Sequence, residues 1–352
     1  MVRQDGCGGL DVGDERRLGK PWVAGYKASG IGEMDILFVT ATRIGDAVLS
    51  TGLISYLVDH YVDARLTIAA GPIASPLFDA VPGLERLVVV EKRRWSLHWL
   101  PLYVAVAARS WDLVVDLRGS ALAWLLRAGE RKVMGKGPAD EHRVRQLGRL
   151  FNLDPPPGPR LWTSCGHEHA AAELVPAGGP VLAIGPTANW RGKQWRAERF
   201  AELARRLTAV GGLLPEARVA VLAAGHERGQ AQPLLEAIPQ SRLIDLVGRV
   251  DLLTAAAVLR RCALFIGNDT GLMHIAAACG TPTLGLFGPS PSCQYAPWGS
   301  LAAFVCSADS PETMFGPGFD HRTTDTLMDG LSVAAAEAAS CQLWDRVASA
   351  AA

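Results

Sequence analysis

The stretch ALFIGNDTGLMHIAAACGTPTLGLF (Ala263–Phe287) decides the fold. Ala263–Gly267 is an apolar run of strand length that closes on glycine. Thr270–Cys279 has the length and composition of a helix. Gly280, Thr281 and Pro282 break it, and Thr283–Phe287 is a second apolar run. A strand, a helix and a second strand of this kind form a parallel crossover unit. The turn between the first strand and the helix falls where open α/β sheets bind ligands.

The same alternation extends in both directions. Upstream of it stand strand Val181–Gly185, helix Ala197–Val210, strand Val219–Ala224, helix Gln230–Ala237 and a helix over Leu252–Arg261. An earlier series runs through Ile36–Thr40, Ala47–His60, Leu66–Ala70, Ser75–Val81, Leu87–Val90, Trp99–Ser110 and Leu113–Leu117, with a basic helix over Glu141–Phe151. The prolines at 155, 156, 157 and 159 and the break from Pro176 to Pro180 suit neither helix nor central strand. The expected organisation is therefore an N-terminal tail (1–33), an N-terminal Rossmann-like domain (34–151) and an interdomain connection (152–180). A C-terminal Rossmann-like domain (181–330) and a last helix (331–352) follow. Residues 1–33 hold eight glycines and no apolar period, so they read as a disordered extension, or as sequence preceding a true start at Met34.

Composition agrees. At roughly 150 residues per domain, 352 residues suggest two domains. An apolar fraction of 49% and a charged fraction of 20% suit a globular chain. The 35 basic and 35 acidic residues cancel, which argues against a general nucleic-acid binder. Seven scattered cysteines without a CxxC pair suggest neither a disulfide framework nor a zinc site. No apolar run is long enough to span a bilayer, and the start lacks a signal-peptide core. The expectation is a soluble cytoplasmic protein.

Four loops carry candidate chemistry. Arg43-Ile44-Gly45-Asp46 opens the first helix; Asp46 is a candidate base, and its spacing equally suits a helix cap. Asp269-Thr270-Gly271 precedes His274, and the amides of Thr270 and Gly271 offer an anion site at a helix N-terminus. Asn189 to Trp195 is a loop with Lys193 as a mobile cation. Gly225-His226-Glu227 follows a strand, where a carboxylate can accept from ribose hydroxyls. No GxGxxG motif opens a helix, which weakens a dehydrogenase reading.

In this order the segments resemble glycosyltransferase family 9, the ADP-heptose:lipopolysaccharide heptosyltransferases. The resemblance runs from about Met34 to Gly299, and RIGDAVLSTGL (43–53) and FIGNDTGLMHIAAACGTPTLGLFGPS (265–290) are its most specific parts. WDLVVDLRG (111–119) and LVGR (246–249) match weaker segments. It implies the α/β fold called GT-B, two Rossmann-like domains facing a cleft. It implies inverting transfer of heptose from ADP-heptose to the lipopolysaccharide inner core. By position, Asp46 matches the general base. Lys193, Asn189, Asp269, Thr270, Gly271 and His274 fall on the donor side, and Glu227 at the ribose. Arg43, Gly45, Arg94 and Arg143 fall on the acceptor side. The loop Gly185–Asn189 carries fewer hydroxyls than some members, and Val250 replaces a larger adenine-packing residue.

No metal is expected to be obligatory, since no DxD pair is set up for one, although free Mg²⁺ can assist. A membrane-borne anionic acceptor calls for a local basic face. Lys92, Arg93 and Arg94 with Trp95 and Trp99 form one candidate, and Arg143, Arg145 and Arg149 another, giving peripheral attachment to the inner membrane. Two alternatives stay open: a related GT-B enzyme with another nucleotide sugar or acceptor, and a non-catalytic nucleotide-sugar-binding protein.

Overall fold

The computed structural model describes residues 34–91 and 99–351. The first part contains β1 (Met34–Val39), α1 (Ile44–His60), β2 (Ala64–Ala70), β3 (Leu84–Val89), α2 (Trp99–Val106), β4 (Trp111–Asp116), α3 (Leu122–Leu125), β5 (Ala128–Val133) and α4 (Arg143–Arg149). The second contains α5 (Cys165–Leu174), β6 (Val181–Gly185), α6 (Ala197–Leu207), β7 (Arg218–Val221), α7 (Arg228–Ala237), β8 (Leu243–Asp245) and α8 (Leu252–Arg260). It continues with β9 (Leu264–Asn268), α9 (Gly271–Ala278), β10 (Thr283–Phe287), α10 (Ser292–Tyr295), β11 (Ala302–Cys306), α11 (Pro311–Met314) and α12 (Val333–Ala351).

All ladders are parallel. The first sheet has strand order β3-β2-β1-β4-β5, the second β11-β10-β9-β6-β7-β8. Each order reverses once: between β1 and β4 in the first sheet, and between β6 and β9 in the second. A crevice forms at the carboxyl ends of such strand pairs. The Arg43–Asp46 turn follows β1, Asn189–Trp195 follows β6, and Asp269–Gly271 follows β9. Topology alone therefore brings three of the four candidate loops to the two switch points.

The central strands are apolar on both faces, as doubly covered parallel strands must be. Ile36, Leu37, Phe38, Leu182, Ala183, Leu264, Phe265 and Ile266 are all fully buried. One apolar cluster runs without interruption through both domains. It joins Ile36, Phe38 and α1 residues Val48 to Leu57 to Val181, Ala183, Phe265, Met273 and Ile275. Helix α1 is covered nearly all round, by its own sheet, by α4 and by α9. A methyl on Gly52 would lie 2.3 Å from the Pro157 carbonyl oxygen, so the proline-rich segment runs directly over α1.

Three sequence expectations change. Residues 152–180 are more than a connection. Helix α5 lies within them, closed by a reciprocal cap between Ser164 and His167, and packs on α8 of the second domain. The terminal helix is likewise part of that domain, packed on α6, β10 and β11. Strands β5, β8 and β11 were not foreseen. The expected disordered tail (1–33) lies outside the described residues.

Gly52→Ala tests the contact over α1. Within an exposed helix this change stabilises by about 1 kcal/mol. Here it should destabilise by about 1–3 kcal/mol because the proline segment must shift. Urea denaturation measures it, and an unchanged or raised midpoint would contradict the packing.

Candidate active site

The two domains meet where α1 and α9 begin. A methyl built on Gly45 would lie 2.9 Å from His274 Cδ2, and one on Gly271 would lie 2.5 Å from Ile44 Cγ2. Both positions need glycine so that the two helix N-termini can approach. Unpaired amides and positive dipole ends then converge on one crevice. The carboxylates of Asp46 and Asp269 stand at its edge.

Asp46 is partly buried in the first turn of α1. Burial holds its carboxyl above the usual aspartate range. The charges of Arg143, Arg43 and Lys193 oppose that shift, and Asp269 adds to it. Among the described residues no hydrogen bond or ion pair engages the Asp46 side chain. Arg143, the first residue of α4, donates to Gln146 Oε1 at 3.0 Å. Arg145 lies over the Trp298 ring at 5.7 Å, and Arg149 pairs with Glu141 at 2.6 Å. Of the expected basic trio, only Arg143 acts on the charge of Asp46. Lys92, Arg93, Arg94 and Trp95 lie outside the described residues.

The facing wall is built by the second domain. Lys193 Nζ donates to Asp269 Oδ2 at 2.6 Å, and Asp269 is 8% exposed. Lys193 is thereby held at the α9 terminus by a short charge-assisted bond. Asn268, fully buried at the end of β9, fixes the loop that bears the lysine. Its Oδ1 accepts from the Trp195 amide at 3.1 Å and its Nδ2 donates to the Pro186 carbonyl at 2.9 Å. Trp195 is buried and donates through Nε1 to the Leu331 carbonyl at 2.9 Å. Arg191 pairs with Asp325 at 2.8 Å, and Trp190 stacks on His321 with ring centres 4.3 Å apart. The loop is thus clamped from both sides.

His274 was expected on the donor side. It is 4% exposed, and burial pushes its pKa down to about 4, so it is neutral near pH 7. Its Nε2 lies 4.0 Å from Asp269 Oδ1, while its ring edge lies against Gly45. It packs at the junction of α1 and α9, between Gly45 and Asp269. Asn189 is exposed and makes no hydrogen bond among the described residues. Glu227 Oε2 accepts from the Thr187 hydroxyl at 2.8 Å and from the Ala224 amide at 3.1 Å. Its carboxylate is therefore oriented, and Oε1 makes no hydrogen bond among the described residues. Gly248, at φ +71°, passes so close to Gly225 that a methyl would lie 2.6 Å from its Cα. This contact explains the glycine of the 246–249 segment. Among the described residues no cluster of three His, Cys, Asp or Glu side chains is arranged to hold a metal.

Two residues escaped the sequence reading. His142 caps α4, with Nδ1 accepting from the Val144 amide at 3.2 Å. Nε2 must then donate to the Ala296 carbonyl, 2.9 Å away in the other domain. Its ring also lies against Trp298, with centres 4.6 Å apart. Tyr295 is partly buried near Asp46; burial and then the Asp46 charge raise its hydroxyl pKa. No local pattern marks either position.

The family model of glycosyltransferase family 9 (heptosyltransferase) matches residues 142–316. Lipopolysaccharide heptosyltransferase 2 of Escherichia coli K12 is 33% identical over 301 residues, covering 73% of this chain and 83% of its own. Lipooligosaccharide heptosyltransferase 2 of Haemophilus influenzae is 30% identical over 122 residues, 34% of either chain. The solved structure of E. coli ADP-heptose lps heptosyltransferase II superposes with a TM-score of 0.68 at 19% identity, covering 89% of this chain and 99% of that one. The expected GT-B architecture is the one observed. The chain belongs to glycosyltransferase family 9, the heptosyltransferases.

Proposed function

We propose that this enzyme transfers heptose from ADP-heptose to the inner core of lipopolysaccharide, with inversion at the anomeric carbon. One observation carries the reading: an unengaged, partly buried carboxylate, Asp46, faces the Lys193–Asp269 pair and the α9 terminus across the domain junction. E. coli relatives named for ADP-heptose and lipopolysaccharide support the substrates.

In this reading ADP lies on the second domain. Glu227 accepts from its ribose, while Lys193 and the Thr270 and Gly271 amides face the diphosphate. The acceptor hydroxyl enters from the Arg43 and Arg143 side. Its oxygen forms the bond to the anomeric carbon, and Asp46 takes its proton. The bond to the diphosphate breaks, and its electron pair leaves with ADP. Negative charge grows at Lys193 and the α9 terminus, where preorganised donors stabilise it. A carboxyl held above its ordinary pKa is the stronger base for a hydroxyl proton. We further propose that no metal is obligatory, with Mg²⁺ at most stimulatory. The reading places the enzyme in the cytoplasm, at the inner membrane's cytoplasmic face. No helix among the described residues is long and apolar enough to cross a membrane.

Asp46→Asn should lower kcat by about 10²–10⁴-fold, the range for a positioned base. ADP release from ADP-heptose with deacylated core acceptor measures this, and a variant as fast as wild type removes Asp46 from the reaction. The base works deprotonated, so kcat/KM should fall on acidification through a pKa above the ordinary 3.8. The stability effect has the opposite sense. A raised carboxyl pKa favours the folded state below the unfolded value, and this contribution is lost as pH rises through the folded one. Asp46→Asn should therefore melt no lower than wild type at pH 7. Excess EDTA should leave the rate within about threefold, since the chemistry relies on Asp46 and Lys193. Abolition by EDTA with recovery on adding a divalent cation would overturn the metal-independent reading.

A further inference from the structure

Helices α2 and α3 cover the same face of the first sheet. Leu102 and Val106 of α2, and Leu122 and Ala123 of α3 with the following Leu126, are buried in one cluster with Leu37, Val39, Trp111 and Val114. The outward faces of both helices are also apolar. Leu100 is 62% exposed, Val104 70%, Trp124 68% and Leu125 67%, with Tyr103 beside them at 36%. Residues 100, 103 and 104 stand at i, i+3 and i+4, so they form one stripe on α2. Single exposed apolar residues are ordinary, but a contiguous group marks an interaction surface.

Arginines rim this surface. Arg86 donates to the Ala105 carbonyl at 2.8 Å and Arg127 to the Ala108 carbonyl at 3.0 Å. Arg131 donates to the Ala123 and Leu126 carbonyls at 2.8 and 2.7 Å. Arg118 stacks over Trp99 at the start of α2, 4.9 Å from the ring centre. Arg109 is shared between the carboxylates of Glu85 and Asp35, and Lys132 pairs with Glu130. Arg86, Arg127 and Arg131 form no ion pair among the described residues, so they leave positive charge on the rim. Because every strand is parallel, α2 and α3 begin at the carboxyl edge of their sheet, the edge from which α1 presents Asp46.

We propose that the outer face of α2 and α3 docks on an anionic lipid bilayer, inserting Leu100, Val104, Trp124 and Leu125 between headgroups held by the arginine rim. Aromatic and aliphatic side chains ringed by Arg are the composition of an interfacial surface. A second copy of the chain fits less well. At 1.5 Å per residue the eight residues of α2 span about 12 Å, and α3 adds one turn. A stable dimer buries about 800 Å² per partner. The proposal rests on the membrane-borne acceptor of the reading above, and it places that acceptor's lipid beside the Asp46 wall.

The experiment is flotation of the full chain with phosphatidylethanolamine vesicles, with and without phosphatidylglycerol. Wild type should float with the anionic vesicles and release from them as salt rises. The double variant Leu100→Asp, Val104→Asp should bind at least tenfold more weakly, and Trp124→Ser should lose binding independently. ADP release with a soluble deacylated acceptor should stay within about twofold in both variants, showing that they fold. Equal flotation of wild type and the double variant would overturn the proposal. So would a wild type that ignores the vesicles, or light scattering showing a wild-type dimer that the variants dissociate. Vesicle binding by a wild type that transfers no heptose would sustain the surface and remove the enzymatic reading instead.

Discussion

Everything in the site depends on two helix N-termini meeting head to head at Gly45 and Gly271. Each glycine leaves room for a neighbour that a single methyl would displace: the His274 ring at Gly45, and the Ile44 side chain at Gly271. The approach joins two sheets that share no ladder and lets one apolar cluster run through both domains. It also concentrates unpaired amides on one small volume, an arrangement that favours negative charge.

That crevice must accommodate two carboxylates. Asp269 is held by Lys193 at 2.6 Å and stays paired. Asp46 has no such partner among the described residues; burial raises its pKa, and Arg143 and Arg43 limit the rise. Two similar groups in one crevice thus differ in state: one is paired with a cation, and the other, unpaired and with a raised pKa, is the base of the proposed reaction. The buried neutral His274 lets α9 pack against α1 without adding a positive charge behind Asp269. The loop bearing Lys193 is rigid for a traceable reason: Asn268 satisfies backbone groups at both ends of it, and Trp195 anchors its far side.

Much of this was legible in the sequence because parallel strands buried on both faces read as short apolar runs. Val181–Gly185 and Thr283–Phe287 have the expected bounds. The strand Ala128–Val133 was not legible, because an edge strand with Glu130, Arg131 and Lys132 lacks that signature. Helix α5 was hidden behind a proline-rich approach, although Ser164 and the residues after it form its cap. The site divides in the same way. Asp46, Lys193, Glu227 and Asp269 all follow strands, where chemistry is expected. The pairing of Lys193 with Asp269 spans 76 residues and is a product of tertiary structure, as are the links from His142 to Ala296 and from Tyr295 to Asp46.

The proposed chemistry divides the labour between the walls, with the base on one and the donor's nucleotide on the other. Calorimetric titration of ADP into wild type, Asp46→Asn and Lys193→Ala tests it most directly. Losing a charge-assisted contact costs about 1.5–3 kcal/mol, so Lys193→Ala should weaken ADP binding by about tenfold or more. Asp46→Asn should bind ADP as wild type does, or slightly tighter because a negative charge is removed. Loss of ADP affinity in Asp46→Asn equal to that in Lys193→Ala would contradict the account.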